Sequence, residues 1–172
     1  MSGLESIHND STLFIGFWQN VAILDIGADV DLPHMQLVGS AYRTLLEKYP
    51  SGIAALVVIR AGTPVASAEA RAESARFTKE LGDQLLHVAM VIEEHGVIAQ
   101  MLRSVVRGLN ALVRQTRLSL FDDVQEAMRA MLPVIIPATD RSGLPNELRA
   151  VVEEARRRFR MPDPSTPLTR WF

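Results

Sequence analysis

The order in which apolar runs change their period constrains the fold of this chain more than any other feature of it. Two strand-like runs, Thr12–Gln19 and Val21–Gly27, stand almost back to back. Helix-period and strand-period segments then alternate: helix Pro33–Tyr49, strand Ile53–Arg60, helix Ser67–Leu81, strand Leu85–Glu93, helix Val97–Arg114, a short strand Leu118–Phe121 and helix Asp123–Leu132. Helices between strands demand crossovers and parallel pairing, whereas two strands with no room for a helix demand an antiparallel hairpin. The expected fold is therefore α/β: an N-terminal hairpin, then β/α units on a mostly parallel sheet flanked by helices.

The clearest element is Ile53–Ile59, a continuous and partly β-branched run bounded by Pro50–Ser51–Gly52 and Gly62–Thr63–Pro64. Such runs are buried on both faces, as in the middle of a parallel sheet. Asn20 lies between the first two strands, where a tight turn fits. Asp31 before Pro33 reads as a helix start, the carboxylate accepting a free N–H and the proline losing no hydrogen bond. Asp123 with Glu126 three residues on reads as a capping box. The helix from Val97 carries Ile98, Met101, Leu102, Val105, Val106, Leu109, Leu112 and Val113 at helical spacing. Residues 1–11 read as a loose leader.

From Pro137 the character changes. Prolines and Gly143 punctuate a tail whose regular piece is a helix over about Pro145–Phe159, with Leu148, Val151, Val152, Ala155 and Phe159 on one stripe. Residues 1–136 hold 11 basic and 15 acidic side chains, and residues 137–172 hold 7 and 5. The expectation is an α/β domain over 1–136 with a basic tail, 137–172, whose helix folds back on the acidic domain or reaches another molecule.

Composition narrows the function classes. With 48% hydrophobic and 22% charged residues, 172 residues suffice for one domain with a proper core. The net charge of −2 gives no field that points to nucleic acid or an anionic membrane. The absence of cysteine excludes disulfides, thiolate nucleophiles and cysteine metal sites. The start of the chain lacks a basic, apolar export signal, and no apolar run is long enough for a membrane helix. A cytoplasmic protein without membrane insertion is expected.

Few residues suggest chemistry. The histidines are scattered at 8, 34, 87 and 95. His95, beside Glu93 and Glu94 at a strand C-terminus, stands where open α/β sheets bind ligands. Successive strand residues point to opposite faces, however, so the three cannot converge if the strand continues. Arg103, Arg107 and Arg114 lie nearly on one line of the long helix, a candidate anion or ligand contact. Arg60–Ala61–Gly62–Thr63–Pro64 lacks the spacing of a phosphate loop, and no Gly-x-Ser-x-Gly elbow occurs. No catalytic residue, metal site or cofactor is assigned.

With a hairpin first, then alternating helices and strands and a closing helix, the chain resembles the STAS domain shared by sulphate transporters and anti-sigma-factor antagonists. The resemblance covers about Thr12–Leu132. It rests on element order, on Ile53–Ile59 with its following loop and helix, and on Phe121–Asp122–Asp123–Val124–Gln125–Glu126–Ala127. It implies a non-enzymatic interaction module of a bacterial-type regulatory system that docks a protein partner through the loop and helix after the third strand. In this chain that surface is Thr63, Pro64 and Ser67 with Arg71 and Arg76. In switching members a serine or threonine of an Asp-Ser-type motif is phosphorylated there. Thr63 and Ser67 are the matching hydroxyls, but the preceding aspartate is missing and Pro64 alters the loop. Read locally, Thr63 is a turn residue and Ser67 an N-cap.

Two other classes stand beside the interaction module. A small apolar ligand or lipid would enter a cleft at the strand ends, lined by Phe17, Trp18, Met90 and Met101. A structural homo-oligomer, such as a homodimer, would exchange the tail helix or pair hairpin edges.

Overall fold

The computed structural model describes residues 3–112, 118–136 and 142–159. Six strands form one sheet in the order of the chain: β1 Glu5–Asn9, β2 Leu13–Trp18, β3 Val21–Ile26, β4 Ile53–Ile59, β5 Leu85–Ile92 and β6 Leu118–Phe121. β1, β2 and β3 pair antiparallel, and β3 through β6 pair parallel. The Ile53–Ile59 run is thus an interior parallel strand with β3 on one side and β5 on the other. The element order is that of a STAS-like α/β fold.

Because the strands follow one another across the sheet, right-handed crossovers deliver the connecting helices to a single face. These are α1 Leu32–Lys48, α2 Ala68–Leu81 and α3 Gly96–Leu112. The period-2 rule then sorts the side chains. Leu13, Ile15, Leu24, Ala55 and Val57 meet Val38, Tyr42 and Leu45 of α1 and Phe77 of α2. Phe14, Trp18, Ile23, Leu56 and Val58 face the other way. There they meet α4, Val124–Met131, and α5, Leu144–Arg158.

The helix starts obey the local chemistry. Asp31 accepts the His34 N–H, Ser67 accepts the Ala70 N–H, and Asp123 accepts those of Gln125 and Glu126. Gln19 turns between β2 and β3 at a φ of 52°. Asn20 is fully buried beside it. Its amide donates to the carbonyls of Gly52 and Val134, and its oxygen accepts the Ile136 N–H at 2.9 Å. That one side chain ties the hairpin turn to the β4 entry and to the segment after α4.

One expectation is corrected. The leader is not loose, since Glu5–Asn9 is the edge strand, so the hairpin is a three-stranded meander. Its side chains are mostly exposed and show no apolar period. It is held by backbone pairing, by a Glu5–Lys48 ion pair at 2.8 Å and by the Arg158 guanidinium on the Leu4 carbonyl. The tail helix folds back on the domain, the first of its two expected placements. Leu144, Leu148, Val151, Val152, Ala155 and Phe159 share one core with Phe14, Trp18 and Leu56. On α3, Ala99, Leu102 and Val106 are buried while Ile98 and Met101 are exposed, so the apolar stripe is wider than the face the sheet receives. Val113, Arg114 and the segment Leu168–Phe172 lie outside the described residues.

Candidate functional site

A cavity of about 160 Å³ lies between the sheet and its three crossover helices. Its floor includes Leu24, Val57, Val88 and Met90 from the strands. Met35, Val38 and Tyr42 of α1, Ala75 and Phe77 of α2, and Leu102 and Val106 of α3 form the walls. The Thr63–Ala66 loop closes one end, at the C-terminal ends of the parallel strands where open α/β sheets place ligands. The Tyr42 and Phe77 rings meet edge to face, 5.5 Å between centroids. Burial pushes the Tyr42 phenol up, which keeps it neutral against the apolar wall.

Among the described residues, Arg71 is the one charged residue of the lining. It is half-buried and donates to the Ala66 carbonyl at 3.0 Å. A guanidinium carries five N–H donors, so this bond leaves most of its capacity for a second acceptor. Ser74 and Thr78 add hydroxyls one and two helical turns away. The lining is thus an apolar chamber with one cation beside its loop.

The residues singled out from sequence distribute unevenly. Thr63 is 4% exposed, and its hydroxyl donates to the Ile26 carbonyl at 3.2 Å. The hydroxyl holds the loop against β3, in keeping with the local reading of Thr63 as a turn residue. Ser67 is half-buried as the α2 cap, and Pro64 is exposed. Arg76 points to solvent, bound to Glu73 and Glu80 of its own helix. Those contacts hold the Glu73 carboxyl below its usual range.

At the end of β5 the three polar residues part company. Glu93 accepts from Arg156 of α5 at 2.6 Å. Glu94 accepts the Gly62 N–H at 2.6 Å and the His95 N–H at 3.0 Å, which lowers its carboxyl pKa. His95 is exposed, as is Arg107, and Arg103 pairs with Asp122. They form no common pocket. The expected lining Phe17, Trp18, Met90 and Met101 is likewise corrected. Phe17 and Trp18 lie in the cores of opposite sheet faces and Met101 faces solvent, which leaves Met90 alone of the four in the cavity lining.

Two features escaped sequence reasoning. The cavity is built from residues of many elements, each of which reads as ordinary core. His8 and His34, 26 positions apart, converge on Asp10.

Among the described residues no helix is long and apolar enough to cross a membrane. No protein-family model matches the chain, and no curated protein matches it. A solved structure similar to it is that of an uncharacterized protein of the DUF3478 family, described as having a SpoIIAA-like fold, from Shewanella loihica PV-4. The two share 13% identity over 74% of this chain and 94% of that one, with a TM-score of 0.49.

Proposed function

We propose that the protein is a non-enzymatic binding domain for a small apolar molecule bearing an anionic end. The observation that carries this reading is the cavity of about 160 Å³ with Arg71 as the sole charged lining residue among the described residues. A volume near 150 Å³ holds a benzene-sized body. Six buried carbons at roughly 0.8 kcal/mol each give about 5 kcal/mol, a dissociation constant of about 0.2 mM. A carboxylate on Arg71 tightens this by a charge-assisted hydrogen bond, about 1.5–3 kcal/mol.

Calorimetry with hexanoate, octanoate and the matching alcohols tests the reading. Wild type should bind the acids more tightly than the alcohols. Arg71→Gln should abolish that preference, and Ala75→Phe, which fills the chamber, should weaken both classes. No heat with any compound, or binding unchanged in Ala75→Phe, would refute it.

A second reading, the protein-interaction module, draws support from the N-terminal turns of α3. Val97, Ile98 and Met101 are 73%, 50% and 56% exposed there, side by side. Exposed apolar clusters of this kind mark interaction sites. Affinity purification of full-length protein against a Val97→Ser, Ile98→Ser, Met101→Ser variant tests it, and an identical partner set would remove this surface.

A further inference from the structure

We propose that His8, Asp10 and His34 form a binding site for a divalent first-row transition metal of the zinc class. His8 comes from the edge strand, Asp10 from the turn after it and His34 from the first turn of α1. One ligand atom of each lies within 4.8 Å of the other two. The Asp10 Oδ2 atom is 2.8 Å from His8 Nε2 and 3.2 Å from His34 Nε2. Tetrahedral bonds of about 2.0–2.1 Å place donors roughly 3.3 Å apart, so a side-chain adjustment that closes the three donors from within 4.8 Å seats an ion between them.

The surrounding groups aim these donors. Asp10 Oδ1 accepts the backbone N–H groups of Thr12 at 2.7 Å and Leu13 at 2.8 Å, which fixes the carboxylate and turns Oδ2 toward the histidines. His34 Nδ1 lies 2.6 Å from Asp31 Oδ1, and that same oxygen accepts the His34 backbone N–H. A carboxylate on Nδ1 orients the ring and presents Nε2 to the site, as at metal-bound histidines in general. Two imidazoles and a carboxylate suit zinc, cobalt, nickel or copper rather than calcium or magnesium. All three side chains are partly exposed, so an ion has a way in and a solvent molecule completes the shell. The site lies outside the lining of the apolar cavity and is independent of the ligand reading.

The rival account is a hydrogen-bonded clasp between the β1–β2 turn and α1, which predicts no saturable uptake of an ion. Full-length protein stripped with a chelator is titrated with Co²⁺, followed by its visible absorption, and with Zn²⁺ by calorimetry. Wild type should take up one equivalent, with the intense bands of a low-coordinate cobalt site. His34→Gln and His8→Gln should each lose at least tenfold in affinity. Asp31→Asn, which touches no ion, should lose 10–100-fold. Circular dichroism of the metal-free variants verifies folding, and added zinc should raise the unfolding midpoint of wild type but not of His34→Gln. Absence of stoichiometric binding to wild type at tens of micromolar metal would overturn the proposal. So would unchanged affinity in both histidine variants, since the ion would then sit elsewhere.

Discussion

Arg60 donates two hydrogen bonds of 2.7 Å to the two carboxylate oxygens of Asp25, a residue only 1% exposed on the inner part of the sheet. The guanidinium lies over the Phe159 ring, 4.4 Å from its centroid. Asp25 is the second-last residue of β3, Arg60 follows β4 and Phe159 follows α5, so one side chain joins the parallel pair to the last helix. A bidentate pair whose cation is also stacked suits arginine and not lysine.

Removing one partner of that pair strands the other in the core. Arg60→Met should cost about 3–5 kcal/mol in urea unfolding, and Arg60→Lys more than half of that. Replacing both, Asp25→Leu with Arg60→Met, should recover much of the loss, because an apolar pair of similar volume avoids the buried charge. A double variant as unstable as the single one would contradict this account.

Asn20 offers a sharper test of polar satisfaction. Asn20→Ala leaves two carbonyls and one N–H in the interior without their partner, at about 2–4 kcal/mol. Asn20→Asp keeps the acceptor for Ile136 but sets a carboxylate against the carbonyls of Gly52 and Val134. At neutral pH it should be at least as unstable as Asn20→Ala by thermal unfolding, despite the near-identical shape.

Acid should loosen the β1–β2 turn first. Burial alone raises the Asp10 carboxyl. The N–H groups of Leu13 and Thr12 with the His8 and His34 side chains outweigh it and bring the pKa from 3.8 down to about 2. A depressed pKa adds stability above the unfolded-state value, and that stability is lost as pH falls toward 2. The contribution is about 1 kcal/mol once solvent at this partly exposed group is discounted. Metal-free Asp10→Asn should show a shallower loss of stability between pH 4 and pH 2 than wild type.

Gly52 is fixed by both backbone and space. Its φ is +128°, and a Cβ there would fall 2.6 Å from the Leu86 side chain. Gly52→Ala should cost about 2–4 kcal/mol through strain and overpacking together. Leu86→Ala in that background should relieve only the packing share, leaving the backbone strain in the unfolding free energy.

How much of this was legible in the sequence depended on where each residue's partners come from. Ile53–Ile59 was plain because burial on both faces leaves a continuous apolar run. The caps at Asp31, Ser67 and Asp123 were plain because their partners are two or three residues away. Glu5–Asn9 was hidden because an exposed edge strand is held by backbone bonds that carry no side-chain pattern. The cavity was hidden because Tyr42, Ala75 and Leu102 each look like core, and only the spacing of three helices leaves a gap between them. The convergence of His8 and His34 on Asp10 needs the β1–β2 turn and the α1 start to be neighbours. That is a product of topology, and no local period records it.

The placement of α5 shapes how this molecule is made. While the ribosome is still adding residues, β2, β3 and β4 can assemble with α1 and α2, but Phe14, Trp18 and Leu56 on the far side of the sheet have no cover. Only when the segment ending at Phe159 emerges does that greasy surface close. The nascent protein therefore passes through a sticky stage late in synthesis, when chaperone capture or aggregation competes with docking of the last two helices.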